Sequence, residues 1–182
     1  MSYERDRVSK CIDRARRASK RLAGFNDPQR QQDEWEAFLE DWKKGLERMR
    51  SYALKHDLKA KHDAIHSERV ADPILNYAWE ARNVEAHEID GGSRLTDGSI
   101  SIGPAIPGGA VGIRNLSVIN GVVTGTIESG RVTHVPPGIE LGALLLKGGR
   151  RLEPPPGANA RDVARHALAF ADRHFAAVFR PD

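Results

Sequence analysis

Apolar and polar positions alternate along the first half of the chain with the spacing of amphipathic helices. In residues 4–23, and again from Pro28 to about His56, apolar side chains recur every three or four positions. This spacing predicts two helices that each bury one face. Asp27 is suited to cap the second helix, with Pro28 at its first position. The largest apolar side chains of that helix keep its period and are predicted to anchor a core rather than to stack on bases: Trp35, Phe38 and Trp42.

A third helix is predicted over Asp72–Ile89. Asp72 is a natural N-cap, and Pro73 suits the first helical position because its missing N–H has no intrahelical partner there. Gly91-Gly92 supplies the left-handed residues that commonly end a helix. The segment before this helix, Lys55–Arg69, is polar and charged, and it either connects two helices or extends one of them.

The composition changes sharply at residue 91. From there to residue 156 the chain is rich in Gly, Pro, Val, Ile and Thr, and four short stretches are predicted to be strands: 99–103, 111–119, 122–128 and 141–147. Asn120-Gly121 is the strongest hairpin-turn signal in the chain, and Gly148-Gly149 is a second candidate.

The last helix is predicted over Ala160–Phe179, after a stiff connector at 154–157. An amphipathic helix must pack on something, and the N-terminal helices are the expected partner. The predicted fold class is therefore α+β and mostly α: an antiparallel bundle of about four helices with an antiparallel β insertion between the third and last helices. The expected segments are 1–90 for the bundle, 91–156 for the insertion and 157–182 for the returning helix, in one compact domain.

Composition supports a globular protein. The chain has 182 residues, of which 40% are hydrophobic and 29% charged, and no run of about 18 apolar residues that could span a membrane. The N-terminus is too charged for a secretory signal. Because the single Cys11 cannot form an internal disulfide, a reducing cytoplasm is the expected location.

Positive charge is concentrated at the N-terminus, although the formal net charge of the chain is only +3. Residues 1–24 hold eight Arg or Lys against three acids. Such a run is either a solvated helix face or a surface that attracts phosphates. The candidate RNA-binding residues on it are Arg14, Arg17 and Arg21.

Two histidines, His62 and His66, are candidate metal ligands. His62 and His66 are four apart, which would place both on one helical face. A metal site usually needs a third ligand and a dedicated surround, and the sequence indicates neither. No metal and no cofactor are therefore predicted.

One side of the Asp72–Ile89 helix carries a polar stripe. At about 100° per residue its members fall within a sector roughly 60° wide: Asn76, Glu80, Asn83 and His87. Arg82 projects about 100 to 140° away from the stripe by the same geometry. Imidazole and guanidinium are the groups that a metal-free ribonuclease needs, one to move protons and one to neutralise charge on phosphorus. Asn83 and Glu80 could orient a phosphate oxygen or the imidazole.

The segment from Arg82 to His87, RNVEAH, resembles the Arg-x(4–6)-His motif of HEPN domains (higher eukaryotes and prokaryotes nucleotide-binding), including their common Asn after the Arg. The resemblance covers residues 4–90 and extends to 160–179. It implies a helical bundle that forms a homodimer through the motif helix, with RNA as the substrate of the dimer cleft. It also implies that Arg82 and His87 are the catalytic pair, with Asn83 auxiliary. Active members of this family are often toxins or antiviral effectors paired with an antitoxin.

Two other interpretations remain open. In the first, the motif is structural: His87 is favoured by the helix dipole in the last turn, and Arg82 pairs with Glu85 or Glu88. In the second, a HEPN-like fold binds nucleotide, RNA or a protein partner without cleaving anything, and the β insertion is a recognition surface.

Overall fold

The chain folds into two compact units, Met1–Thr96 together with Gly138–Asp182, and Asp97–Pro137. The computed structural model describes residues 3–24, 27–85, 93–96, 99–107, 109–119, 122–135 and 138–179. The first unit holds five helices: α1 (Tyr3–Gly24), α2 (Pro28–Lys55), α3 (Lys59–Ala71), α4 (Pro73–Glu85) and α5 (Ala160–Phe179).

Two aspartates fix the starts of α2 and α4. The Asp27 side chain accepts hydrogen bonds from the backbone N–H groups of Gln29 (3.0 Å) and Arg30 (3.3 Å). Asp72 Oδ1 accepts from Ile74 (2.9 Å) and Leu75 (3.1 Å) in the same way. Each cap satisfies donors that have no intrahelical partner, and each contributes about 1 kcal/mol. Both predicted helix starts are confirmed.

The polar segment before α4 forms a helix of its own, so the described residues contain five helices where about four were predicted. Asp57 separates α2 from α3 with a left-handed backbone (φ 57°). The N–H of Leu58 then bonds to the Ala53 carbonyl at 2.8 Å, which closes the end of α2. Only Ile65 and Arg69 of α3 are buried, so the segment lacks the apolar stripe by which a helix is recognised in a sequence.

The core is built on a row of aromatic rings along α2. Trp35, Phe38 and Trp42 are all at most 1% exposed. Their rings stack in turn, with centroids 5.7 Å apart for Trp35 and Phe38 and 6.4 Å apart for Phe38 and Trp42. Trp42 Nε1 also donates to the Ala167 carbonyl of α5 at 2.8 Å. The predicted core anchors are confirmed, as is the packing of the last helix on the N-terminal helices.

Two short strand pairs belong to the helical unit. β1 (Ser93–Thr96) pairs antiparallel with β6 (Gly138–Leu141), and β7 (Leu144–Leu145) pairs with β8 (Arg151–Leu152). Gly148 and Gly149 turn the chain between β7 and β8 with φ of 88° and 80°, which confirms the second predicted turn. The single strand predicted over 141–147 is wrong, because β6 ends at Leu141 and only two residues of that stretch form β7.

The second unit consists of two nested antiparallel pairs. β2 (Ser99–Gly103) pairs with β5 (Arg131–Val135), and β3 (Gly112–Ile119) pairs with β4 (Val122–Ser129). The predicted strands at 99–103, 111–119 and 122–128 are confirmed. Ile119 lies opposite Val122, while Asn120-Gly121 itself is outside the described residues. The insertion between α4 and α5 is thus antiparallel, and its two ends, β1 and β6–β8, belong to the helical unit.

Helix α5 is held on α3 and α4 by three charged or ionisable pairs. His166 Nε2 lies 2.7 Å from Asp72 Oδ2, Arg173 donates to Glu68 at 2.7 Å, and His174 Nε2 lies 3.2 Å from the same carboxylate. Burial lowers the pKa of His174, although the hydrogen bond to Glu68 opposes the shift. Burial works against ionisation of Glu68, but its hydrogen bonds from Arg173 and His174 outweigh it and lower the pKa of that carboxyl.

His174 should make folding sensitive to mild acid. Because its pKa is lower in the folded than in the unfolded chain, the unfolded chain binds a proton first as the pH falls below about 6.5. The free energy of unfolding should therefore decrease between about pH 7 and pH 5.5, and less so in His174→Gln. Urea unfolding at both pH values measures this difference. His66→Gln, which changes an exposed histidine of α3, is the matched control, and equal pH slopes in the wild type and His174→Gln would contradict the expectation.

Candidate functional site

Helix α4 presents its predicted polar stripe at the surface of the helical unit. Asn76, Glu80 and Asn83 are each partly exposed, whereas Tyr77 and Ala78 are fully buried. The N-terminal half of α4 is fixed by the Asp72 cap and by Tyr77 Oη, which donates to the Gly142 carbonyl at 2.8 Å. The polar side chains are therefore carried on a well-anchored helix.

The C-terminal half of the stripe is linked to α2 by a hydrogen-bonded chain. Asn83 Nδ2 donates to Glu80 Oε2 at 2.9 Å, and Lys43 Nζ donates to Asn83 Oδ1. Lys43 also lies 3.9 Å from Glu47 and 4.8 Å from the centroid of the Trp79 ring. With a side chain only 20% exposed, Lys43 is a fixed cation at the edge of the stripe.

Arg69 of α3 is the most deeply buried cation in this region, at 7% exposed. Its guanidinium carbon lies 4.5 Å from the Trp79 ring centroid, and Nη1 donates to Asn76 Oδ1 at 3.3 Å. Burial lowers the pKa of Arg69; the negative charge of Glu80 counteracts this shift, and the positive charge of Arg50 adds to it. Trp79 thus has two cations against its ring, a contact that contributes about 0.5–1 kcal/mol at exposed sites and about 2 kcal/mol when desolvated.

Arg50 of α2 completes the group. Its Nη2 lies 3.3 Å from His62 Nε2, and its Nε is buried without a hydrogen-bond partner. Asp63 lies 2.8 Å from the other nitrogen of His62. We refer to Lys43, Arg50 and Arg69 as the cationic cluster; it lies where α2, α3 and α4 pack together.

Arg82 lies off the stripe, on the neighbouring side of α4, as helical geometry predicts. Its side chain is 27% exposed and lies 3.8 Å from Glu40 of α2, at the outer limit of an ion pair. The structure therefore brings Asn83 and Glu80 together but places Arg82 on a neighbouring side of the helix. His87 lies outside the described residues, and so does the predicted helix end at Gly91-Gly92.

The candidate RNA-binding arginines of α1 differ in their contacts. Arg14 Nη2 lies 2.8 Å from Asp41 and Arg21 Nε 2.6 Å from Glu34, so both join α1 to α2. Hydrogen bonds to these carboxylates raise the pKa of both arginines. Arg17 is exposed and makes no ion pair with any described residue. Of the three, Arg17 is the one whose charge faces solvent alone.

Another basic surface lies between α1 and α5. An open cavity of about 510 Å³ there is lined in part by Arg16, Lys20, Arg161 and Arg165. Arg16 lies 2.6 Å from Asp13 and 2.7 Å from Asp172, and Arg165 lies 2.7 Å from Asp162. Carboxylates therefore compensate much of the positive charge on this surface.

The sequence does not identify the cationic cluster or Trp79 as candidate functional residues. A signal is present in retrospect, since Lys43 and Arg50 are seven apart on α2, and His62 and Arg69 are seven apart on α3. Residues seven apart share a helical face. On charge-rich helices, however, such pairs are too common to single out these positions.

The described residues define a mostly helical α+β protein with a cationic cluster beside the polar stripe of α4. No helix among them has the length and apolar character needed to cross a membrane. No protein-family model, curated protein or solved structure matches the chain.

The hydrogen bond between Lys43 and Asn83 should be measurable in folding. We expect a coupling of about 1 kcal/mol between Lys43→Met and Asn83→Ala, because the bond is charge-assisted and partly buried. Urea unfolding of the two single variants and the double variant gives this value. Lys44→Met, at the exposed neighbouring position, should combine additively with Asn83→Ala. Additivity in the Lys43 cycle as well would show that the bond contributes nothing.

Proposed function

We propose that this chain is a cytoplasmic, metal-independent endoribonuclease of the HEPN type, with Arg82 and His87 as the catalytic pair. The observation that carries the proposal is the position of Arg82. It lies on a capped, well-anchored helix, next to the Asn83–Glu80 pair, and its only ion pair among the described residues is the long one to Glu40. A guanidinium held so weakly by its own protein is available to a phosphate.

The chemistry assigns one task to each group. The His87 imidazole removes the proton of a ribose 2′-hydroxyl, and the 2′-oxygen attacks the adjacent phosphorus. The bond from phosphorus to the 5′-oxygen breaks, that oxygen takes up a proton, and a 2′,3′-cyclic phosphate remains. Arg82 neutralises the charge that builds on the non-bridging oxygens. Asn83, already oriented by Glu80 and Lys43, positions a phosphate oxygen or the imidazole.

The proposal includes a homodimer through the motif helix. Arg82 lies off the polar stripe, so one helix alone does not direct it and the stripe to the same point. A second copy of α4 packed across a twofold axis supplies an Arg82 to the His87 of its partner. Proteins of this kind act as toxins or phage-defence effectors, with an antitoxin to cover the cleft.

Cleavage should depend on both motif residues and not on divalent metal. We expect purified protein to cut total RNA in excess EDTA, and Arg82→Ala and His87→Ala each to reduce the rate by about 10² or more. Gel analysis of the fragments measures the rate. His66→Ala and Arg131→Ala, which change exposed residues, should cleave like the wild type. Unchanged cleavage in Arg82→Ala or His87→Ala would remove that residue from the mechanism.

Mixing the two inactive variants tests whether the site spans two subunits. If Arg82 and His87 of different chains form one site, a heterodimer of Arg82→Ala with His87→Ala retains one intact site of two. Random pairing should then restore about a quarter of the wild-type rate. If both residues act within one chain, no pairing restores activity. A strict monomer at micromolar concentration would rule out the two-subunit site.

The alternative function is a non-catalytic nucleotide- or RNA-binding module, or a protein-interaction module. The observation that favours it is the engagement of Asn83, whose amide is bonded to both Lys43 and Glu80. Retention of RNA without fragments, in the same EDTA assay, would support this alternative.

A further inference from the structure

Arg50 and Arg69 are positive charges on which the neighbouring carboxylates act only from a distance. The charge of Glu80 opposes the lowering of the pKa of Arg69, and Asp63 contacts His62 beside Arg50. Arg69 is 7% exposed, and Arg50 is partly buried with its Nε inaccessible and unbonded. Neither guanidinium is bonded to a carboxylate in the described part of the chain. Burying a cation without an anionic partner costs free energy.

Most of their hydrogen-bonding capacity is unused. A guanidinium has five N–H donors. Arg69 uses one of them on Asn76 at 3.3 Å, and Arg50 has one contact, to His62 at 3.3 Å. The two groups lie on the same part of the packing, because Arg50 contacts His62 and His62 shares a face of α3 with Arg69. In agreement with this, the charge of Arg50 lowers the pKa of Arg69. Two like charges held near each other, with free donors, are the arrangement of an anion site.

We propose that Arg50 and Arg69 bind a phosphate group where α2, α3 and α4 pack together. Phosphate has several oxygens in a tetrahedral arrangement and accepts from two guanidinium forks at once, whereas a carboxylate presents a single plane that one fork covers. Lys43 lies 4.8 Å from the centroid of the Trp79 ring but is bonded to Asn83, so the site is assigned to the two arginines alone. Glu80 accepts a hydrogen bond from Asn83, and although its charge acts on Arg69 it forms no hydrogen bond with that guanidinium among the described contacts.

The phosphate belongs to a nucleotide or to an RNA backbone, and either source offers the same group. The site stands apart from the proposed cleavage, because a phosphate can bind at Arg50 and Arg69 whether or not Arg82 and His87 cut RNA. The basic surface between α1 and α5 is a weaker candidate, since carboxylates pair with two of its three arginines, Arg16 and Arg165.

The test titrates pyrophosphate into the full chain by calorimetry and follows the melting temperature. We expect saturable binding that raises the melting temperature of the wild type. Arg50→Met should weaken binding about tenfold or more, because it removes charge-assisted hydrogen bonds. No binding to the wild type would overturn the proposal.

Arg48→Met is the matched control. Arg48 is on the same helix and is also partly buried, but it contacts Cys11 at 3.2 Å on the α1 side. This variant loses the same charge and should keep the wild-type affinity for pyrophosphate. Equal losses of affinity in Arg48→Met and Arg50→Met would show that binding depends only on the net charge of the protein, and would overturn the proposal.

Stability distinguishes a binding role from a structural one. Without ligand, Arg50→Met should melt at or above the temperature of the wild type, because it removes an unbonded buried donor and a repulsion with Arg69. A structural Arg50 predicts the opposite, a lower melting temperature in the absence of pyrophosphate. That result would overturn the proposal even if binding were also reduced.

Two further titrations identify the source of the phosphate. ADP is compared with adenosine, which lacks phosphate, and both with a short single-stranded oligodeoxynucleotide, which has phosphodiesters but no 2′-hydroxyl to be cleaved. Binding of ADP indicates a nucleotide ligand, and binding of the oligonucleotide alone indicates a nucleic-acid backbone. In both cases Arg50→Met should abolish the preference for the phosphate-bearing ligand over adenosine. Adenosine binding as tightly as ADP would show that phosphate is not recognised.

Discussion

The indole of Trp42 joins the hydrophobic core to the candidate site. Its ring stacks on Phe38, and its N–H donates to the Ala167 carbonyl of α5. It also makes a T-shaped contact with Trp79, with ring centroids 6.3 Å apart and an angle of 78° between the ring planes. One side chain thus sets the position of α5 and of the Trp79 ring. Because Lys43 and Arg69 both lie against that ring, their placement depends on packing in the core. A change in core volume near Trp42 would therefore shift the side chains of Lys43 and Arg69.

Charge is distributed unevenly among the helix contacts of this protein. Where α1 meets α2, Arg14 and Arg21 each have a carboxylate within about 3 Å, and where α5 meets α3, Arg173 does as well. Where α2, α3 and α4 meet, Arg50 and Arg69 bond to His62 and Asn76, and the carboxylates of Glu80 and Asp63 act on them without a hydrogen bond among the described residues. The guanidinium donors that remain unused there are those to which we assign the phosphate.

Local features of the sequence predicted the local features of the fold. Asp27 and Asp72 cap helices through bonds to residues two and three positions away, and the aromatic period of α2 follows from helical geometry alone. The pairing of β1 with β6 and of β2 with β5 joins distant segments, so turn signals did not reveal it. The cationic cluster is built from three helices, and its closeness depends on how they pack. The same is true of the carboxylate partners of Arg14 and Arg21, two of the three candidate RNA-binding residues, since these ion pairs join α1 to α2.

The strand pair β1–β6 allows the segment between its two strands to change in length or sequence. The polypeptide leaves the helical unit at Thr96 and returns at Gly138, and these two residues are directly paired. Paired residues on neighbouring strands lie about 5 Å apart. The segment between them therefore begins and ends at neighbouring backbone positions. Insertions, deletions or the exchange of this whole segment for another can be accommodated there without disturbing the aromatic core.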